Sequence, residues 1–295
     1  MRLFLFFLAV LSTACAPRST ADLRARIRRI VERADARIGV AVILDGRDTL
    51  SVGAADDYPL LSVVKLHQAM AVTACCEERQ QSLSTPIVVS AAELLPDTWS
   101  PLRDASPEGG TFTVAELLRY TLCYSDNNAC DLLFDRFGGP AAVDRYVRSL
   151  RVGPCTIEAT EAQMHADAAA CYRNRTSPMA AARLVERLLT DDALFTPAHT
   201  ELLRRMLLDC RTGADRLAAP LAGTGARLGH KTGTGDRLPN GRAIACNDVG
   251  FVLLPDGRHY TVAVLIRDSA ESDARNARLT AEVSRAVWRH MTEER

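Results

Sequence analysis

Strand-like apolar segments stand at both ends of this chain, and helical periodicity fills the long stretch between them. Gly39 to Leu44 and Thr49 to Ala54 are joined by Asp45-Gly46-Arg47-Asp48. An Asp-Gly pair between apolar runs signals a hairpin. Much later, Arg227 to Thr232, Asp248 to Leu254 and Tyr260 to Ile266 read as strands, the last two joined by Pro255-Asp256-Gly257. The two early and three late strands are predicted to pair as one five-stranded antiparallel sheet, in a fold of the α/β (α+β) class. Two helices are predicted to flank it. Ala21 to Ala34 carries Leu23, Ile27, Ile30 and Val31 at helical spacing, and Ala270 to Met291 carries Leu279, Val283, Val287 and Met291. Residues 21–58 and 216–295 thus form a sheet lobe, and residues 59–215 an all-helical lobe. Within the latter, Thr113-Val-Ala-Glu116 fits a capping box and Ser177-Pro178 a helix start. Residues 155–176 show little periodicity and read as an Ω-type loop, long enough to suggest a function.

Composition narrows the function. The chain has 295 residues, 47% apolar and 24% charged, with net charge 0. That excludes a large basic field for nucleic acid. No apolar run reaches the roughly 18 residues of a membrane span. Arg2, the apolar run Leu3 to Leu11 and the small residues Ser12-Thr13-Ala14 before Cys15 read as an export signal over residues 1–15. Cys15 also matches the lipid-modification site of bacterial lipoproteins, except that Leu11 stands one place early. The leader is therefore either a secretory signal or the prelude to a lipid anchor at Cys15. Either way a periplasmic location is expected, where disulfides persist. Eight cysteines follow, from Cys75 to Cys246, with no CxxC pair, so a zinc site is not expected.

Three short motifs occur in a fixed order. Ser62-Val-Val-Lys65 is an S-x-x-K, a pattern that about half of such chains contain by chance. Ser125-Asp126-Asn127 and Lys231-Thr232-Gly233 are fixed triplets, each expected in about a few per cent of such chains. Each makes chemical sense. Ser62 opens an apolar helix, where free N–H groups and the helix dipole favour negative charge. Lys65, three residues on, shares its face. A buried amine can lose its proton and activate a serine. Ser125 can relay a proton and Asn127 can fix a substrate amide. Lys231 and Thr232 can hold a carboxylate, and Gly233 permits a close backbone approach. Of 36 basic residues, Lys65 and Lys231 are the only lysines. Arginine does not release its proton in a protein. Both lysines landing in motifs by chance would occur on the order of once in several hundred chains.

This ordered set is that of class A β-lactamases and penicillin-binding proteins. The chain resembles the class A serine β-lactamases, most closely their PER-type extended-spectrum branch, over residues 22 to 290. The resemblance rests on Ser62-Val-Val-Lys-Leu-His67, Ser125-Asp-Asn-Asn-Ala-Cys-Asp-Leu-Leu-Phe134, Glu161-Ala-Gln-Met-His-Ala-Asp167, His230-Lys-Thr-Gly-Thr234 and Asn247-Asp-Val-Gly250. It implies a β-lactamase/penicillin-binding transpeptidase-like fold with the active site between lobes. It implies an acyl-enzyme on Ser62, with Lys65 and Ser125 handling protons and Glu161 activating the deacylating water; Glu158 is the nearest rival. His165 stands where many relatives have asparagine. Thr234 is implied in the oxyanion hole, Trp99 at the cleft mouth and Arg242 at the substrate carboxylate. Leu61 and Gly235 stand where some carbapenem-hydrolysing relatives carry a bridge, so that bridge is absent.

The expected substrate is a small β-lactam such as a penicillin or cephalosporin, with no metal, no cofactor, no nucleic acid and a monomeric state. Other readings of the same motifs are a penicillin-binding peptidase, a serine-dependent glutaminase and a β-lactam sensor. The peptidase normally lacks the loop glutamate. A sensor stays acylated and usually carries a membrane span.

Overall fold

The computed structural model describes residues 19–292; the leader and Cys15 lie outside them. In chain order, α1 (Thr20–Val31), β1 (Arg37–Leu44), β2 (Asp48–Val52) and the short β3 (Tyr58–Pro59) lead to α2 (Val64–Glu78). The hairpin β4 (Pro86–Ser90) and β5 (Gly109–Thr113) encloses α3 (Pro101–Ala105). Then come α4 (Val114–Cys123), α5 (Asn127–Arg136), α6 (Gly139–Ser149), β6 (Cys155–Thr156), α7 (Glu161–Ala166), β7 (Arg175–Thr176), α8 (Pro178–Thr190) and α9 (Pro197–Leu208). Strands β8 (Arg227–Thr234), β9 (Ala243–Leu253) and β10 (His259–Ser269) precede α10 (Asp273–Thr292).

The five-stranded antiparallel sheet has the order β2-β1-β10-β9-β8. Side chains alternate across it. On one face Val40, Val42, Val262 and Val264 meet Leu23 and Ile27 of α1 and Leu279 and Val283 of α10. On the other, Ala41, Ile43, Ala263 and Leu265 join the helical core around Met70, Leu118 and Leu184. Both faces are covered, which is why these strands read as continuous apolar runs rather than as alternation. The capping boxes at Thr113/Glu116 and Ser19/Asp22 and the Ser177 cap start helices as their sequences specify.

Three differences from the sequence-based expectation have physical causes. Strand β9 begins at Ala243, not Asp248. Polar Asn247 breaks the apolar run just before the expected start, yet it and Asp248 are both buried and bonded. The Asn247 amide accepts from Ile266 N at 3.1 Å and donates to Pro59 O at 2.7 Å, and Asp248 accepts from Leu217 N at 3.1 Å. The stretch 155–176 is not structureless. The antiparallel pair β6–β7 closes it, and the Thr160/Gln163 capping box starts α7 within it. The β4–β5 hairpin was not expected, because Val88, exposed at 73%, and buried Val89 offer too short an alternation. All eight described cysteines are free thiols.

Leu265 is fully buried on the helical side of the sheet. Leu265→Ala is expected to lower unfolding free energy by about 2–5 kcal/mol in urea titration. Val88→Ala, at an exposed position, is expected to change it by no more than about 0.5 kcal/mol.

Candidate active site

Ser62 lies in a single 3-10 turn, Leu61–Val63, at the entrance to α2. Leu61 has φ 46°, the left-handed region that side-chain-bearing residues seldom occupy. Val63 N donates to Leu60 O at 3.1 Å, and Leu60 N to Asn174 O at 2.8 Å, which holds the turn. Ser125, before the N-cap of α5, has φ 59°. Two such residues in one site mark stored strain, of order 1–3 kcal/mol each. Buried Asp126 fixes that second turn, accepting from Ala129 N at 2.8 Å and Leu102 N at 2.6 Å.

The three motifs converge. Lys65, fully buried, donates from Nζ to Ser62 Oγ at 3.0 Å, Ser125 O at 2.9 Å and Asn127 Oδ1 at 2.6 Å. Its Nζ also lies 3.1 Å from Glu161 Oε1. Lys231, likewise fully buried, donates to Ser125 Oγ at 2.9 Å and to Thr232 O at 2.9 Å. Burial, followed by the nearby Lys65 charge, lowers its pKa to about 8. The Ser125 hydroxyl thus sits between two ammonium groups, 3.5 Å from Lys65 Nζ.

The loop brings in the carboxylate. Asp131 on α5 accepts from Glu161 N at 2.8 Å and Ala162 N at 2.7 Å, pinning the start of α7. Burial raises the Asp131 pKa to about 6. Buried Asn174 ties the loop to itself, accepting from Glu158 N and Ala159 N at 2.8 and 2.9 Å. Glu161 is therefore buried at the site, whereas Glu158 points outward toward Arg173 and Arg175 at 4.0 and 3.9 Å.

Strand β8 forms the opposite wall. A Cβ at Gly233 would lie 2.5 Å from Leu60 O, so only glycine lets the strand press against the turn that carries Ser62. Thr232 Oγ1 shares a hydrogen bond with Thr212 Oγ1 at 2.6 Å. His230 meets Asp248 at 2.7 Å beneath the strand. Burial alone would lower the His230 pKa, but Asp248 outweighs it, with help from Cys210, and raises it to about 10.

A cleft of about 510 Å³ opens between these walls, lined by Ser62, Ser125, Asn127, Glu161, His165, Thr232 and Thr234. Trp99 stands on its rim, 61% exposed, its indole N–H donating to Tyr124 O at 2.9 Å. Arg242 does not reach the cleft. Its guanidinium is held by Asp268 O at 2.7 Å and Asp35 Oδ1 at 2.9 Å, on the connection between α1 and β1. Arg216 lines the cleft instead, donating to Thr234 Oγ1 at 2.7 Å and Asn247 O at 2.9 Å. In sequence it is one arginine among 34, with nothing to single it out.

A serine hydroxyl backed by a buried amine, a second serine between two ammonium groups and a buried carboxylate within 3.1 Å of the first amine form an arrangement capable of acyl transfer. The sequence model of the Beta-lactamase enzyme family matches residues 22–291. The chain is 37% identical over 269 residues to the extended-spectrum β-lactamase PER-1 of Pseudomonas aeruginosa, covering 90% of this chain and 86% of that one. The crystal structure of a class A β-lactamase from Bacteroides cellulosilyticus superposes with a TM-score of 0.88 at 35% identity, covering 92% of this chain and 98% of that one. TLA-3 extended-spectrum β-lactamase gives 0.89 at 32% identity, covering 92% and 99%. The chain belongs to the β-lactamase enzyme family, class A.

Gly233→Ala is expected to cost about 1–3 kcal/mol of stability, because the nearest atom is backbone and must shift. Its hydrolytic rate is expected to fall at least tenfold. An unchanged melting temperature and rate would show that the strand does not press on the Ser62 turn.

Proposed function

We propose that this enzyme hydrolyses the amide of penicillins and cephalosporins in two covalent steps at Ser62. The observation that carries this reading is the convergence of Ser62, Ser125 and Glu161 on one buried ammonium, Lys65. Ser62 Oγ attacks the strained lactam carbonyl, and its proton passes through water to Glu161, or to Lys65 after Lys65 has first given a proton to Glu161, 3.1 Å away. Backbone N–H groups of Ser62 and Thr234 hold the oxyanion, a contribution of about 3–4 kcal/mol in serine hydrolases. Ser125, fed by Lys65 and Lys231, delivers a proton to the departing ring nitrogen. Glu161 then draws a proton from a water that attacks the ester and frees Ser62. Asn127 and Trp99 border the substrate's side chain. His165, on the loop helix, borders the deacylating water.

The substrate carboxylate is assigned to Lys231, Thr232 and Thr234. Arg216 takes the role expected of Arg242, since its guanidinium already bonds the Thr234 hydroxyl at 2.7 Å. The bilobal arrangement of residues 21–58 with 216–295 around residues 59–215 belongs to the same proposal. So do export through residues 1–15, a periplasmic location with or without a lipid on Cys15, and a monomeric state.

Purified enzyme given a chromogenic cephalosporin is expected to turn over many equivalents, at a rate a chelator leaves unchanged. A single stoichiometric burst would contradict hydrolysis. The kcat/KM is expected to fall as pH rises through about 8, because Lys231 then loses the charge that holds the carboxylate. A profile flat to pH 10 would remove Lys231 from carboxylate binding.

A further inference from the structure

We propose that the arginine-lined groove between α1 and α10 docks the enzyme on an anionic phospholipid surface. These two helices carry eight arginines against three carboxylates, in a chain whose net charge is 0. Between them lies a groove of about 690 Å³, into which Arg26, Arg29, Arg33 and Arg285 converge. Among the described residues none of these four guanidinium groups pairs with a carboxylate. The acids that line the groove are committed elsewhere. Asp22 closes the α1 capping box, accepting from Ser19 Oγ at 3.0 Å, and Glu282 takes Arg275 at 3.1 Å. Four arginines against these two carboxylates leave the groove with a net positive charge.

Its shape favours a surface over a single small anion. Arg26 and Arg29 lie about 5 Å apart along α1, Arg33 follows just past its end and Arg285 faces them from α10, a spread suited to several phosphates. Arg29, Arg33 and Arg285 are exposed. The helices cover the face of the sheet opposite the helical core, so a docked molecule keeps its cleft free. Sequence adds a tether. Cys15, the residue matched to lipid modification, stands only four places before the Ser19 cap of α1. An acyl chain there would bring this groove, rather than the cleft, to the bilayer. A single acyl chain binds membranes only marginally, and basic residues commonly supply the second signal.

The test uses the full chain carrying Cys15→Ser, which cannot be acylated, sedimented with vesicles of phosphatidylcholine alone or with 30% phosphatidylglycerol. Binding to the anionic vesicles is expected to exceed that to the neutral ones at 50 mM salt and to vanish at 300 mM. Arg29→Glu with Arg285→Glu is expected to lower anionic-vesicle partitioning at least about 20-fold while leaving cephalosporin turnover unchanged. Arg29→Lys with Arg285→Lys is expected to retain it. Arg145→Glu with Arg151→Glu, an equal change in net charge on the helical side, is expected to have little effect. Equal partitioning into both vesicle types would overturn the proposal. So would equal losses from both reversed pairs, or binding of free glycerophosphate at matched ionic strength without binding to vesicles.

Discussion

Two ammonium groups with no exposure to water share one serine hydroxyl, and much of the molecule is organised around that arrangement. Burying one unpaired charge costs several kcal/mol, and burying two like charges side by side costs more. The structure offsets this with one carboxylate, Glu161, and a set of neutral acceptors: Ser62 Oγ, Ser125 O, Asn127 Oδ1 and Thr232 O. Lys231 registers the remaining penalty, its pKa lowered to about 8. Such a cluster is a proton reservoir in contact with two hydroxyls, which is what the making and breaking of an ester requires.

The fold serves to hold these groups against their mutual repulsion. Lys231 comes from β8, Lys65 from α2, Ser125 from the turn before α5 and Glu161 from the loop helix. Asn247 stitches the first two together, reaching from β9 to Pro59 O at 2.7 Å and Leu60 O at 3.2 Å, beside the turn of Ser62. Asp131 does the same for the loop, taking both leading N–H groups of α7. These supports are buried polar side chains whose hydrogen bonds are directional, so they fix position in a way that apolar packing alone would not.

Much of this was legible in the sequence, and what was not has a physical reason. The motifs were legible because lysine in an arginine-dominated chain marks a site where proton release matters. The sheet was legible because both of its faces are buried, leaving long apolar runs. Asn247 misplaced the start of β9, since a buried polar residue looks like a loop residue until its partners are known. Arg216 and Arg242 cannot be told apart by sequence. Their roles are set by neighbours far away in the chain: Thr234 for the first, Asp35 and Asp268 for the second. The groove of α1 and α10 has no mark in the sequence, because convergence of arginines from two helices appears only in space.

Intact-mass spectrometry of Glu161→Gln after mixing with a cephalosporin bears on the central claim, that the buried loop carboxylate completes a two-step cycle begun at Ser62. Rapid appearance of one covalent adduct on Ser62, persisting for many wild-type turnover times, is expected. Wild-type rates of release from that variant, with no accumulating adduct, would contradict it.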